Sequence, residues 1–157
     1  MNQQKGFTLL EVLVVIAIIG VLATLGMVMY RNSIADAEIT RAQADIDSIH
    51  SAIGALVSDT GEWPDHQTPE SVSAGAGNEV WDLTVNNAGI VATDGLFADW
   101  AGPYMPSIPN DPWGNPYFLD TDYTLPDGSI APVIGSFGPN GVGQNLYDSV
   151  DIIKVAF

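Results

Sequence analysis

Three sets of residues in this 157-residue chain have the types and spacing for chemistry. The first lies near the C-terminus, where Ser136-Phe137-Gly138-Pro139-Asn140-Gly141 is followed by Asp148 and Asp151. Carboxylates on a glycine-rich turn are what Ca²⁺ requires, since it takes about six to eight oxygen ligands from flexible backbone. An unmetallated hairpin is the competing reading. The second is Glu11, which opens a stretch from Val12 to Tyr30 without a single charge. A carboxylate at the edge of a lipid-facing helix is costly and marks function, unless it stays wetted at the headgroup interface. The third is the histidine pair, His50 in an apolar helical stripe and His66 beside Asp65. Spacing places no third partner near either one, cysteine is absent, and no phosphate-cradling glycine motif occurs. The sequence therefore offers no catalytic constellation, and the reading is that the chain is not an enzyme.

Composition narrows the class further. Four Lys/Arg against 19 Asp/Glu give a formal net charge of −15. Phosphate binding needs clustered cations, so no direct nucleic-acid partner is expected. An acidic surface keeps an exported domain soluble, which is the plain explanation of the charge. With no disulfide available, a small exported domain must find its staple elsewhere, and calcium is the obvious substitute.

The elements that must position these groups follow from patterning. The nineteen uncharged residues Val12 to Tyr30 would form about 28 Å of helix, close to the hydrocarbon thickness of a bilayer, and read as a membrane span. A secretory signal fits less well, because a carboxylate would not stand near its start and a small-residue cleavage site would follow the apolar run. Lys5 ahead of the span favours a cytoplasmic N-terminus, although Arg31 beyond it weakens that argument. Polar residues then return while Ile39, Ala42, Ile46, Ile49, Ile53, Leu56 and Val57 recur every three or four positions. That is an amphipathic stripe, and it predicts one helix from about Thr8 to Ser58. Gly61 reads as its C-terminal cap, with Trp63-Pro64 turning the chain away.

Gly6-Phe7-Thr8-Leu9-Leu10-Glu11-Val12 resembles the processing and assembly motif of type IV prepilins and of the pseudopilins of type II secretion. The resemblance implies that a prepilin peptidase cuts between Gly6 and Phe7 and methylates the new amino group. It also implies an assembly role for Glu11, whose charge would be compensated by the α-amino group of Phe7 on a neighbouring subunit. Further implied partners are an assembly ATPase, an inner-membrane platform protein and further copies of the chain in a helical homo-polymer. Many relatives carry a proline where this chain has Val28. The chain then divides into a leader at 1–6, a transmembrane and assembly half-helix at 7–30 and an amphipathic half-helix at 31–58. A connecting segment at 59–110 and a head at 111–157 complete it.

In the head, strand-like segments at Tyr117 to Leu119 and Ser129 to Ile134 flank the turn Pro126-Asp127-Gly128, predicting a small antiparallel sheet. Its apolar face, including Trp113, Tyr117 and Val133, is expected to lie on Ile46, Ile49 and Ile53, giving an α+β fold of the type IV pilin-like kind. Asp111-Pro112-Trp113-Gly114-Asn115-Pro116-Tyr117 and Asp59-Thr60-Gly61-Glu62-Trp63-Pro64 are similar to head motifs of the major pseudopilins. The segment from Ser136 onward is similar to their calcium loop, but Asn140 stands where an aspartate is usual, Val150 replaces the first of paired aspartates and the loop is longer. Under that resemblance Asn140, Asn145, Asp148 and Asp151 would hold Ca²⁺ together with backbone carbonyls. The expected function is a structural filament subunit of the major-pseudopilin kind, the piston of protein secretion. A surface type IV pilin for adhesion, motility or DNA uptake is the alternative, and a membrane-anchored binding module that never polymerises is a third reading. The expected location is the inner membrane, single-pass with the head outside the cytoplasm, and afterwards a periplasmic pseudopilus or a surface pilus.

Overall fold

A computed structural model of the chain describes residues 6, 8–74 and 77–156. The first element, α1, runs Leu9–Thr60. No proline interrupts it, and it stops where Gly61 takes a left-handed φ of 74° and donates its N–H to the Val57 carbonyl at 2.8 Å. A glycine at that position closes the helix without a Cβ penalty. The chain divides into two compact units, one up to Glu38 and one from Ile39 onward.

In the first unit the apolar side chains of α1 are exposed on every face, from Leu9 through Leu13, Ile18 and Leu25 to Tyr30. The helix is long and apolar enough to cross a membrane by length and composition. Within that stretch Thr24 donates its hydroxyl to the Val21 carbonyl at 2.8 Å, so this group carries no unmet hydrogen bond into an apolar surrounding.

In the second unit Ile46, Ile49, Ile53 and Leu56 are fully buried. Each contributes about 1.5–3 kcal/mol by leaving water. Ile46, Ile49 and Ile53 pack against one face of a three-stranded antiparallel sheet made of β1 (Phe118–Thr124), β2 (Ile130–Ser136) and β3 (Ile152–Val155), in that spatial order. Leu119 stands opposite Ile134 in the register, and both join Tyr117 against the helix. The hairpin closes through Leu125 N to the Ser129 carbonyl and Gly128 N to the Leu125 carbonyl, each 2.8 Å.

Two residues expected on the helix-facing side do otherwise. Val133 is buried on the opposite face with Phe118 and Tyr123, covered by Trp81, Phe137 and Tyr147. The pleat puts its neighbour Ile134 on the helix, so Val133 cannot be there too. Trp113 is half-buried and outside the helix-facing cluster, because it sits on the Asp111 turn and not on a strand. The segment between helix and sheet holds α2 (Pro69–Ala74), two short 3-10 turns at Pro64–His66 and Asn86–Ala88, and an isolated bridge of Val80 to Leu119.

Candidate functional site

At the N-terminus the sequence singles out Gly6, Phe7 and Glu11. Gly6 is exposed, and Phe7 lies outside the described residues. Glu11 Oε2 accepts hydrogen bonds from both the N–H and the hydroxyl of Thr8 at 2.8 Å, while Thr8 Oγ1 accepts from Glu11 N–H at 3.2 Å. This reciprocal arrangement caps the start of α1 and satisfies donors that have no partner inside the helix. The sequence reading missed this role for Thr8. Its signal was the Thr-x-x-Glu spacing before an apolar run.

The C-terminal loop is built on close backbone approach. Gly138 has φ 63°, and a Cβ on it would lie 2.2 Å from the Val150 carbonyl oxygen. This brings the turn at Gly138–Asn140 against the segment that carries Asp148 and Asp151. Asn140 Nδ2 donates to Asp148 Oδ2 at 2.7 Å, and Asp148 N–H donates to Asp151 Oδ2 at 3.2 Å. Tyr123 donates its hydroxyl to that same oxygen at 2.7 Å. The second oxygen of Asp151 is buried and has no hydrogen-bond partner. An orphaned carboxylate oxygen beside a second carboxylate fits a hard cation. Burial raises the Asp151 pKa against the lowering from Tyr123. That of Asp148 is lowered by the Val150 N–H and by Asn140. Three of the four expected ligands thus come together. Asn145 joins a different group, its Oδ1 accepting from the Tyr147 hydroxyl at 3.1 Å, with that hydroxyl also 3.3 Å from Asp122 Oδ1.

That neighbouring group was not foreseen. Carboxylate oxygens of Glu79, Asp120 and Asp122 lie within 4.8 Å of one another. Asp120 is 1% exposed, and burial first, then its carboxylate neighbours Asp122 and Glu79, push its pKa up to about 7 despite the hydrogen bond it receives from Asp122 N–H. Like charges this close to a buried carboxyl disfavour its ionised form. The available sequence signal was Asp120-Thr121-Asp122 within a strand. Glu79 comes from the irregular segment, where no periodicity placed it. His50, for which spacing placed no partner, has Nε2 3.1 Å from the carbonyl of Ala156, just past β3.

Residues 1–27 match the family described as the prokaryotic N-terminal methylation motif. Residues 87–154 match type II secretion system protein G. The chain is 33% identical over 116 residues to the type II secretion system core protein G of Aeromonas hydrophila, covering 74% of this chain and 72% of that one. It is 32% identical over 151 residues to the core protein G of Pseudomonas aeruginosa, covering 94% of each. The chain belongs to the type II secretion system core protein G family. It also matches the fimbrial protein of Neisseria meningitidis at 34% identity over 93 residues, which is 57% of this chain and 55% of that one. The core protein G family and the pilins are structural subunits, so this protein is a pilin-like filament subunit with a membrane-anchoring apolar helix.

Proposed function

We propose that the chain works as the major subunit of a type II secretion pseudopilus and acts there as a mechanical element with no catalytic role. The observation that carries this is the contrast within α1. Its Leu9–Tyr30 stretch presents bare apolar side chains all round, whereas further on only one face, that of Ile46, Ile49, Ile53 and Leu56, is apolar and is buried in a folded head. A surface so extensively apolar needs lipid or other copies of itself around it. Before assembly it lies in the inner membrane with the head outside the cytoplasm, and assembly transfers it into a periplasmic filament.

Processing by a prepilin peptidase between Gly6 and Phe7, with methylation of the new α-amino group, prepares the chain for assembly. Glu11 then receives the Phe7 amino group of a neighbour, because an uncompensated carboxylate in an apolar filament core is expensive. An assembly ATPase and a platform protein of the inner membrane drive the insertion. Ca²⁺ held by Asn140, Asp148 and Asp151 with backbone carbonyls pins the C-terminal loop, a staple in a chain without cysteine. The orphaned Asp151 oxygen supports that reading.

The test compares wild type with Glu11→Gln and Glu11→Ala by electron microscopy of the cell envelope and of sheared filaments, with intact mass spectrometry of the subunit. Glu11→Gln retains an oxygen to cap Thr8 but has no charge. Loss of filaments in both variants, with the six-residue leader removed and a methyl group added, supports charge compensation. Filaments retained in Glu11→Gln would reduce Glu11 to a helix cap. Long surface filaments in wild type would favour the surface pilin, the reading that the match to the Neisseria fimbrial protein supports.

A further inference from the structure

His66 stands at the exit of α1 with both ring nitrogens engaged. Nδ1 is 3.0 Å from Glu62 Oε2, and Nε2 is 3.0 Å from Asp94 Oδ2. One carboxylate belongs to the turn that ends the helix, and the other to a loop 28 residues further on. Neutral imidazole has one N–H and one lone pair, so it can donate to only one of them. Only imidazolium satisfies both contacts. The neutral ring would set its lone pair against a carboxylate oxygen.

The surroundings make this contact structural. The imidazole lies against the Phe97 ring, with centroids 4.0 Å apart. Phe97 is buried, and its ring edge lies so close to Gly89 that a Cβ there would be 2.7 Å away, with Leu56 of α1 at 3.2 Å. The loop is otherwise held by short-range bonds, Gly95 N–H to Thr93 Oγ1 and Leu96 N–H to Asp94 Oδ1. On the other side Asp65 and His66 have φ of 61° and 57°, a conformation that non-glycine residues hold only when their surroundings fix it. Asn87 Nδ2 supplies one such restraint through Asp65 Oδ1 at 2.6 Å.

We propose that Glu62, His66 and Asp94 form a proton-operated latch, which fastens the 93–97 loop and Phe97 to the exit of α1 while His66 is charged and releases them when it is neutral. The charged groups facing His66 are Glu62 from the helix exit and Asp94 from the loop. Asp65 on its own turn is held by Asn87, and Phe97 brings no charge. Burial by itself lowers the His66 pKa, but the hydrogen bonds and charges of Asp94 and Glu62 outweigh it, and the net direction is up. A histidine with a raised folded pKa stabilises the native state fully below its unfolded value, about 6.5, and loses that contribution as pH rises through the folded value. The latch is therefore closed in mildly acidic surroundings and opens on the alkaline side.

The experiment uses the full chain in detergent micelles, with His50→Gln introduced so that His66 is the sole histidine. NMR titration of the imidazole is combined with hydrogen exchange of the Gly95 and Leu96 amides between about pH 5.5 and 8.5. The expected result is a His66 midpoint above about 6.5 and a fall of about tenfold in amide protection through that midpoint. Asp94→Asn and Glu62→Gln should each lower the midpoint and, like His66→Gln, make protection independent of pH. A midpoint at or below 6.5, or unchanged protection across it, would overturn the latch, and neither variant set depends on filament assembly.

Discussion

The carboxylate of Asp111 accepts a hydrogen bond from the Ser136 hydroxyl at 2.6 Å, with both residues buried. Its other oxygen accepts from the N–H groups of Trp113 and Asn115, and Ser136 Oγ accepts in turn from Gly138 N–H at 3.0 Å. The Asp-Pro-Trp-Gly-Asn-Pro turn and the Ser-Phe-Gly-Pro-Asn-Gly turn are thus one hydrogen-bonded unit, although they are far apart in sequence. Asp111→Ala strands three donors and should destabilise the protein by about 2–4 kcal/mol, against about 1–3 for Ser136→Ala. The double variant should cost clearly less than the sum. Denaturant titration of the detergent-solubilised chain measures all three, and strict additivity would show that the two turns are independent.

Gly138 and Gly141 offer a matched comparison. Both have φ near 60°, but a Cβ at Gly138 meets the Val150 carbonyl at 2.2 Å, whereas at Gly141 it meets only the Asn115 side chain at 3.4 Å. Gly141→Ala should cost about 1 kcal/mol from backbone strain alone. Gly138→Ala must also push the two arms of the loop apart and should cost about 2 kcal/mol more. Melting temperatures of the two variants check the order. Equal losses would mean that the loop closes without this contact.

The helix and the first hairpin were legible because both are local. The isoleucine stripe at Ile46, Ile49 and Ile53 has the helical period, Gly61 marks its end, and Pro126-Asp127-Gly128 marks the turn of the β1–β2 hairpin. Strand β3 was not legible. Its four residues, Ile152–Val155, carry no alternation of their own and become a strand by pairing with β2. The order of the 78–110 segment depends likewise on distant partners, such as Val80 against Leu119 and Tyr104 against Asp59. Distance also hid the meeting of Glu79 with Asp120 and Asp122, and of His66 with Asp94.

Asp120 makes the pH dependence of stability specific. An acid whose folded pKa is raised to about 7 binds its proton in the native state over a range where the unfolded chain has lost it. Stability should therefore fall as pH rises from about 4 to about 7, by up to about 1.4 kcal/mol per unit. Asp120→Asn keeps an oxygen for the Asp122 N–H, flattens this slope and should be the more stable protein at pH 8 by about 1–3 kcal/mol. Unfolding curves at pH 5 and pH 8 in the presence of a chelator decide it, with the native slope persisting in the variant as the contrary outcome.

Calcium is the prediction on which the C-terminal loop turns. Asp151 keeps one oxygen buried and unpartnered while Asp148 and Asn140 stand hydrogen-bonded beside it, so a cation would replace an unmet acceptor with a ligand bond. A ligand that binds only the folded state at about 100 times its Kd adds about 2.7 kcal/mol, which a melting curve resolves easily. Millimolar Ca²⁺ should raise the melting temperature of the full chain in detergent, and Asp151→Asn and Asp148→Asn should each abolish the rise. Glu79→Gln separates the two acidic groups of the head. If the loop is the site, this variant responds to calcium as wild type does; if the response disappears with Glu79 and survives in Asp148→Asn, the β1 carboxylates bind the ion instead. A flat response in wild type across the millimolar range would mean that the loop is held by Asp111, Ser136 and the Gly138 contact without metal.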